Sequence, residues 1–415
     1  MPIAGFIPVN QRLAIVKIIA LAFRYLWSRP LAAALNLLLL SLGLASIAFV
    51  VLVAEQLDQN FERDLAGIDL VVGAKGSPIQ LILAGVFHID VPPGNILLAA
   101  VQELAKNRQI AKLIPISLGD TYKGFRLVGT TVAYADHYGA KLAQGAMWTQ
   151  PMQAVAGAEV ARRSGLAVGA IFAGSHGLGG SGHAHGDNPY RVVGVLAPCG
   201  CVLDRLILTA TESVWQVHEK ATAVDSEDQK IMEAEREVTM ALITYKSPMA
   251  AISLPRFINT TTDMQAAAPA VEITRLLRMV GVGTDVLRGF GAVLLLTAGL
   301  SVFIALWNAV RERRADLAML RMLGAPPRKI AGLVLCEAFL LALMATALGL
   351  LAGHALASLV GSWSQTERSL TLTGLTWVSA EWWVPVIGAT VAALSALLPA
   401  WSAYRIDVTT LLNSR

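Results

Sequence analysis

Five residues in the middle of the chain have side chains that could bind a metal ion. His176, His183 and His185 lie in one glycine-rich stretch, and Cys199 and Cys201 follow it closely. Imidazole nitrogens and thiolates are suitable ligands for zinc. His-x-His and Cys-x-Cys are weak patterns, however, because a solvated polar loop explains the same residues. The sequence therefore leaves two interpretations open, a zinc site and a loop without a ligand.

The sequence shows no arrangement typical of catalysis or of nucleotide binding. No Ser/His/Asp or paired-carboxylate arrangement stands out, so we predict no catalytic residues and no enzyme activity. Gly73–Ser77 comes nearest to a phosphate-binding loop, but it lacks the spacing that wraps backbone amides around phosphates. No cofactor is expected in this chain, and any ATP would bind to another polypeptide.

Four long, uncharged apolar stretches are the elements that must position the candidate residues of this chain. Each is close to the roughly 20 residues that a helix needs to cross a hydrocarbon core of about 30 Å. Because a lipid-facing segment must satisfy its backbone hydrogen bonds internally, we predict four transmembrane helices. A soluble protein with a very apolar core is the weaker alternative. The stretches are Leu31–Ala54, Gly289–Val310, Ala338–Val360 and Trp382–Tyr404.

Basic residues beside these stretches predict the orientation of the chain. Arg24 and Arg29 belong to a basic segment without acidic residues before the first stretch, and a second basic cluster lies between the second and third stretches. Both segments should be cytoplasmic by the positive-inside rule. With four crossings, both termini are then cytoplasmic, and the large segment after the first stretch lies in the periplasm of a bacterial inner membrane.

The predicted fold is an α-helical membrane domain with an inserted periplasmic α/β domain on helical stalks. Composition agrees, because the chain is 55% hydrophobic and its formal charge of +4 is explained by bases at the cytoplasmic helix ends. A nucleic-acid role has no support. The predicted segments are 1–30 (cytoplasmic amphipathic helix), 31–54 (first transmembrane helix), 55–288 (periplasmic domain with stalks), 289–310 (second transmembrane helix), 311–329 (cytoplasmic coupling loop), 330–360 (third transmembrane helix), 361–381 (periplasmic loop), 382–404 (fourth transmembrane helix) and 405–415 (cytoplasmic tail).

Small residues recur every four positions in the third and fourth apolar stretches. A smooth stripe of this kind lets a neighbouring helix approach closely. We therefore predict helix–helix seams, with chance in an alanine-rich protein as the alternative. The residues are Ala345, Gly349, Gly353 and Ala357 in the third stretch, and Gly388, Ala392, Ala396 and Ala400 in the fourth.

Glu337 is a single carboxylate near the start of the third predicted helix. Ionisable side chains in membrane helices are costly and tend to face a partner or water. We predict a structural or coupling role for Glu337 near the inner interface, with ion binding as the alternative. His354 lies nearer the outer side, and we expect it to be packed or interfacial rather than a proton relay.

Residues 55–288 have the pattern of a mixed α/β domain. Polar helical segments at Glu55–Leu65 and Met264–Val286 are expected to be stalks. The apolar run Ile79–Val86 is too short to span a bilayer; we expect it to pack inside the domain, with a lipid groove or the outer membrane surface as alternatives. Predicted strands are Asp69–Val72, Phe125–Val128, Tyr190–Leu196, Leu206–Thr209 and Val238–Tyr245, and predicted helices are Leu97–Lys106 and Ala158–Ser164.

The cytoplasmic connection between the second and third apolar stretches has the sharpest local signature. Arg311–Ala325 is predicted to be a short basic helix with one apolar side. It ends at Gly324, which is suited to a left-handed C-cap. The residues predicted to share the apolar side are Leu317, Leu320 and either Met319 or Leu323.

This connection resembles the FtsX/MacB-type permeases of ABC transporters. The likeness lies in RERRADLAMLRMLGAPPRKIAGLVLCEAFL, Arg311–Leu340, through its basic run, its Leu-Arg-x-Leu-Gly turn and the membrane glutamate that follows. It extends to Pro399–Asp407, which is similar to the closing segment of that family. Pro326 and Pro327 depart from the polar residues that usually follow the glycine.

The resemblance implies a permease that pairs as a homodimer and binds a dimer of ABC ATPase subunits, which carry ATP and Mg. It implies that nucleotide-driven closure of the ATPase is passed to the periplasmic domain, a process called mechanotransmission. The helix Leu317–Gly324 would make the contact. The implied ATPase-coupling residues are Arg313, Arg314, Leu317, Leu320, Arg321, Leu323 and Gly324.

A second likeness lies outside the membrane. Asp69–Ile96 and Tyr190–Glu219 are similar to a bacterial subgroup of these permeases that is often found with zinc-responsive operons, which implies a link to metal homeostasis. Three functions remain open. One is transport with a periplasmic adaptor, lipoprotein or solute-binding protein, the second is FtsX-like signalling to a periplasmic enzyme, and the third is extraction of a lipoprotein or lipid from the membrane.

Overall fold

The computed structural model describes residues 19–176, 188–222, 235–366 and 372–406. The chain divides into two compact units. One is a helical unit made of Met1–Leu57 and Gly281–Arg415, and the other is an α/β unit made of Asp58–Val280. The predicted fold class, four apolar helices with a large inserted α/β domain, is confirmed.

Within the described ranges four helices are long and apolar enough to cross a membrane, and we call them the first to fourth membrane helices. The first has 36 residues, which makes it about 54 Å long at about 1.5 Å per residue. Its length therefore exceeds the thickness of a hydrocarbon core, about 30 Å, as expected for a helix that continues as a stalk. Three of the four begin at a proline, which suits the first helical position because its missing N–H has no helical acceptor there. They are Pro30–Leu65, Pro269–Glu312, Pro327–Thr366 and Trp383–Tyr404.

Shorter elements complete the helical unit. Residues 19–26 are helical and form the described part of the predicted amphipathic helix; residues 1–18 and the tail from 407 lie outside the described residues. Between the second and third membrane helices lies Arg314–Met322, which we call the loop helix. A 3-10 turn, Ser379–Trp382, precedes the fourth membrane helix.

Thirteen strands, numbered in chain order, lie in the described part of the α/β unit. They are β1 (Leu70–Ala74), β2 (Ile96–Leu97), β3 (Ile110–Tyr122), β4 (Phe125–Thr130), β5 (Leu142–Gly145), β6 (Gln153–Ala156), β7 (Ile171–Phe172), β8 (Ser175–His176), β9 (Tyr190–Leu196), β10 (Leu206–Ala210), β11 (Glu237–Val238), β12 (Met240–Tyr245) and β13 (Met264–Ala267). The helices of this unit are Pro78–Gly85, Leu98–Ala105, Val132–His137, Ala158–Ser164, Thr211–Thr222 and Ala250–Thr261, with a 3-10 turn at Val202–Arg205.

Eleven of these strands form one mixed sheet. Its order is β13-β1-β12-β3-β4-β10-β6-β9-β5, with β7 paired to β9 and β8 paired to β3. β10 runs parallel to β4 and β6 runs parallel to β9, while the other neighbours are antiparallel. β11 and β2 form a separate two-stranded sheet. The sheet thus joins strands from the whole length of the unit.

Two hydrophobic clusters hold the α/β unit together. In one cluster Leu70 and Ile243, which are register partners in β1 and β12, lie with Leu254 from the helix Ala250–Thr261. In the other, Leu127 of β4 lies with Val160 of the helix Ala158–Ser164. Burial of such side chains removes apolar surface from water, which is the main favourable contribution to folding.

Several predictions from the sequence agree with the structure. The strand Tyr190–Leu196 and the helix Ala158–Ser164 have the predicted bounds. The apolar run forms the helix Pro78–Gly85, in which Leu81 and Ile82 are fully buried. Packing of this run inside the domain is therefore confirmed.

The return stalk was predicted to begin at Met264, and this boundary is wrong. Met264–Ala267 is strand β13, which pairs with β1 at the edge of the sheet. The helix begins only at Pro269, because the residue before a proline is disfavoured in the helical region and the proline itself suits a helix start. The stalk is therefore shorter than its periodicity suggested.

Candidate functional site

Arg313 fixes the beginning of the loop helix. It occupies the N-cap position, and its carbonyl accepts a hydrogen bond from the Leu317 N–H at 2.9 Å. Its Nη1 lies 3.2 Å from Oε1 of Glu337 in the third membrane helix. Its Nη2 donates to the Tyr25 carbonyl at 2.8 Å and to the Ser28 hydroxyl at 2.6 Å. The guanidinium therefore ties the loop helix both to the third membrane helix and to the segment before the first.

The Arg313–Glu337 pair is largely removed from solvent, with side-chain exposures of 15% and 8%. The guanidinium carbon also lies 4.2 Å from the ring centroid of Tyr25, which adds a cation–π contact. Loss of one member of such a pair is costly because the other charge stays buried without compensation. This geometry supports a structural or coupling role for Glu337, because its carboxylate already has a fixed cation.

The other end of the loop helix is also held. Arg321 donates from Nη1 to the carbonyl of Ile406, just after the fourth membrane helix. Gly324 has a φ of +92°, a left-handed conformation that carries no Cβ penalty in glycine. The Ala325 N–H donates to the Leu320 carbonyl at 3.0 Å, which closes the helix. The two prolines that follow lead directly into the third membrane helix.

The loop helix has two apolar faces, whereas the sequence predicted one. Leu317 is 3% exposed and packs in the helical bundle, with Leu320 partly buried beside it. Met319 is 51% exposed and Leu323 is 84% exposed. The predicted grouping of Leu317 and Leu320 with Met319 or Leu323 is therefore wrong. At about 100° per residue, Met319 lies on the side of the helix opposite to Leu317. Leu323 comes after the last helical residue and does not share the face of Leu317 and Leu320.

We call the second face the outer face of the loop helix. Met322 belongs to it and is 56% exposed. Arg314 and Asp316 in the first turn are exposed as well. Of the predicted coupling residues, Leu317 and Leu320 thus hold the helix in place, Arg313 and Arg321 anchor its ends, and Leu323 is available to a partner.

The small residues of the third membrane helix face the first. A Cβ added to Gly349 would lie 2.8 Å from Leu44 Cβ, and one added to Gly353 would lie 2.8 Å from Ala48 Cβ. Both distances are shorter than real Cβ contacts allow, so glycine is needed for this approach. The fourth membrane helix packs in the same way on the third. A Cβ at Gly388 would lie 2.7 Å from Thr346 Oγ1, and Ala392 is buried.

At the other end of these helices His354 is packed, as predicted. Its ring stacks on Trp377 with centroids 6.0 Å apart, and its Nδ1 lies 2.7 Å from the Gly374 carbonyl. Its Nε2 lies 3.2 Å from Oε1 of Glu381, which is fully buried. Glu381 was not predictable as a buried partner, because it lies at the edge of an apolar stretch where a solvated carboxylate is ordinary.

Only part of the predicted metal site lies within the described residues. Cys199 and Cys201 are joined to each other in a disulfide, so their sulfurs are not thiolate ligands in this state. Their prediction as metal ligands is thus corrected. The backbone of His176 lies in β8, and His183 and His185 lie outside the described residues. Within the described ranges no group of three potential ligands is present. A zinc site stays a prediction, and it would need reduced thiols or other ligands.

Comparison with protein families gives two matches along the chain. Residues 33–246 match the model of the MacB-like periplasmic core domain. Residues 288–408 match the model of the FtsX-like permease C-terminal region. The first match covers most of the α/β unit, and the second covers the C-terminal part of the second membrane helix, the loop helix and the third and fourth membrane helices. No curated protein sequence matches the chain.

Two solved structures resemble part of the chain. The periplasmic region of MacB from Actinobacillus actinomycetemcomitans is 15% identical, with a TM-score of 0.33, and the alignment covers 51% of this chain and 95% of that one. The extracellular domain of the noncanonic ABC-type transporter YknZ from Gram-positive bacteria is 14% identical, with a TM-score of 0.30. Its alignment covers 48% of this chain and 98% of that one.

Proposed function

Because this chain belongs to the FtsX-like permeases that carry a MacB-like periplasmic core domain, we propose that it is the membrane subunit of an ATP-driven transporter. In this proposal the chain itself is not an enzyme. ATP, with Mg, is hydrolysed by a separate ABC ATPase, and the permease works as a homodimer. The substrate is moved by a periplasmic partner or by the periplasmic domain itself.

The outer face of the loop helix carries the proposal. Met319, Met322 and Leu323 expose apolar surface at the end of a helix whose own bundle contacts are already made. Neighbouring exposed apolar side chains commonly mark interaction sites. A partner with a hydrophobic groove would bury them and gain most of its binding energy from a few such anchors.

Arg313 and Arg321, which anchor the two ends of the loop helix, would transmit a displacement of this helix to the membrane helices. A displacement imposed on the outer face acts through Arg313 on Glu337 in the third membrane helix, and through Arg321 on the carbonyl of Ile406. The third membrane helix packs on the first through Gly349 and Gly353. The first and second membrane helices are each continuous with the stalks of the α/β unit. Helix displacement would thus be converted into motion of the periplasmic domain without a channel through the membrane.

The orientation in this proposal follows the distribution of basic residues. The loop helix and both termini are cytoplasmic, and the α/β unit is periplasmic, in a bacterial inner membrane. The periplasmic partner would be an adaptor, a lipoprotein or a solute-binding protein. A co-purified cell-wall hydrolase would favour the signalling function instead.

The test is the variant Leu323→Asp, which places a charge in the apolar contact without disturbing the bundle. In tagged permease purified from its own membranes, we expect the co-purifying Mg-ATPase activity to fall at least about tenfold, since burial of an unpaired charge weakens the contact. Leu375→Asp is the matched control, because Leu375 is 94% exposed and lies outside the loop helix. Equal ATPase activity in Leu323→Asp and wild type would contradict the proposal.

A further inference from the structure

The turn Cys199–Gly200–Cys201 in the α/β unit is closed by a disulfide. A disulfide stabilises a fold mainly by restricting the unfolded chain, and the effect grows with the length of the loop it closes. With a sequence separation of 2, this loop is close to the shortest possible, so the restriction of the unfolded chain is small. The stabilisation of the domain alone does not account for this bond.

The turn is shaped by one carboxylate. Asp204 accepts hydrogen bonds from the N–H of Cys199 at 3.0 Å and from the N–H of Gly200 at 2.7 Å. Gly200 has a φ of +65°, which favours glycine. The two N–H groups reach the same carboxylate only while the turn keeps this conformation. The disulfide and Asp204 therefore hold the same short loop.

The same loop holds the last turn of the first membrane helix within the α/β unit. Arg63 donates from Nη1 to the Gly200 carbonyl at 2.7 Å. Asp64 accepts a hydrogen bond from the Val202 N–H at 2.7 Å and lies 3.4 Å from the Arg205 guanidinium. Asp64 is 5% exposed, so its carboxylate depends on these partners. A change in the conformation of the turn would thus directly alter the hydrogen bonds of Arg63 and Asp64.

We propose that Cys199 and Cys201 form a thiol–disulfide exchange site whose substrate is a dithiol, and that its redox state controls how firmly the end of the first membrane helix is held. The oxidised turn keeps its hydrogen bonds to Arg63 and Asp64. After reduction the turn is no longer held in this conformation, and both contacts weaken. This site acts on the α/β unit and does not depend on the identity of the ATPase.

The exchange proceeds in two balanced steps. A thiolate of the dithiol attacks Sγ of Cys199, which forms a mixed disulfide, breaks the Cys199–Cys201 bond and expels the Cys201 thiolate. The second thiol of the dithiol then attacks the mixed disulfide and expels the Cys199 thiolate. Two electrons and two protons pass from the dithiol to the cysteines, and the dithiol leaves as a disulfide.

Cys199 is the sulfur that an outside thiolate can reach. It is half-buried, whereas Cys201 is 7% exposed. An Asp204 carboxylate oxygen lies 3.4 Å from Cys199 Sγ, and the Cys201 N–H donates a hydrogen bond to the same sulfur at 3.2 Å. Attack on Cys199 makes Cys201 the leaving group of the first step.

The experiment uses the full chain with Cys336→Ala, so that Cys199 and Cys201 are the remaining cysteines. Dithiothreitol is the dithiol probe, and amide hydrogen exchange is followed by mass spectrometry before and after reduction. We expect reduction without denaturant, and an exchange rate at Val202 that rises at least about tenfold because its hydrogen bond to Asp64 is weakened. Peptides from β1 should not change.

One double variant separates this role from simple packing. Cys199→Ser/Cys201→Ser should show the exchange pattern of the reduced protein without any reagent. A disulfide that yields to dithiothreitol only in denaturant would overturn the proposal. So would a double variant that exchanges like the oxidised protein.

Discussion

Arg313 and Glu337 form the ion pair that joins the loop helix to the third membrane helix. Glu337 stands out because a carboxylate in an apolar helix needs a partner. Arg313 was predicted as a coupling residue by resemblance, and nothing in the sequence joins it to Glu337. Tyr25 and Ser28, which complete the anchor, lie far away along the chain. Periodicity describes one helix at a time, so contacts of this kind are not visible in it.

The Arg313–Glu337 pair should behave as a coupled unit. Glu337→Leu should lower the free energy of unfolding by about 3–5 kcal/mol, because the Arg313 charge is left buried and unpaired. In Arg313→Met/Glu337→Leu much of this loss should be recovered. Thermal unfolding of wild type, Arg313→Met, Glu337→Leu and the double variant in detergent gives the double-mutant cycle. Additive effects of the two single changes would show that the pair does not couple the helices.

A second residue-scale prediction concerns His88 in the α/β unit. Its Nε2 lies 3.0 Å from the Tyr134 hydroxyl. Burial, and then the charges of Arg126 and Arg205, hold the pKa of His88 well below its usual 6.5. The unfolded chain therefore binds a proton below pH 6.5 that the folded unit rejects. Stability is fully present above that pH and should fall by at most about 1.4 kcal/mol per pH unit as the pH drops below it.

Thermal unfolding of the full chain, measured from about pH 8 to about pH 5, checks the His88 prediction. His88→Asn is the matched variant, because His88 has a φ of +56° and asparagine tolerates this region. The pH dependence of the variant should be flatter than that of the wild type. The same pH dependence in both would assign the effect to other groups.

Among the helices and strands, those with a strong hydrophobic periodicity were predictable from the sequence. Helix and strand boundaries that depend on pairing or packing with another segment were not. The membrane helices and β9 follow from composition and pattern. β3 was missed because Pro115 and Gly119 interrupt its apolar run, although it pairs with both β12 and β4. The pattern of β13 predicts helix, because its strand character comes from pairing with β1. The two faces of the loop helix likewise depend on which side the bundle occupies.

The seam between the first and third membrane helices gives the prediction at this scale. Gly353→Leu should lower the thermal unfolding temperature of the protein in detergent, because a side chain there would overlap Ala48. Ala355→Leu is the matched enlargement on an exposed part of the same helix and should be mild. Equal stability of the two variants would mean that the seam is not formed.

At the scale of the whole molecule, the sequence and its resemblance gave the architecture and the class of protein. The four membrane helices and the α/β unit are as predicted. The disulfide was not, because cysteines two positions apart are compatible with thiols, a metal site or a bond. The substrate was not predictable from the sequence, and within the described residues no group of three potential metal ligands points to one.

The proposed coupling requires that ATP hydrolysis by a partner ATPase bound to the outer face of the loop helix moves the periplasmic domain. A fluorescent, membrane-impermeant maleimide attached to Ala143→Cys tests it, in a Cys336→Ala background where Cys199 and Cys201 remain bonded to each other. Ala143 is exposed on β5. Labelling from outside intact spheroplasts checks the orientation, and inside-out vesicles made from them then receive Mg-ATP.

In these vesicles we expect Mg-ATP to change the fluorescence of the label in the otherwise wild-type permease and to leave it unchanged in Leu323→Asp. The charge at Leu323 removes the contact with the ATPase while the α/β unit stays folded. Labelling that fails from outside would contradict the orientation. An Mg-ATP response of the same size in Leu323→Asp would contradict coupling through the loop helix.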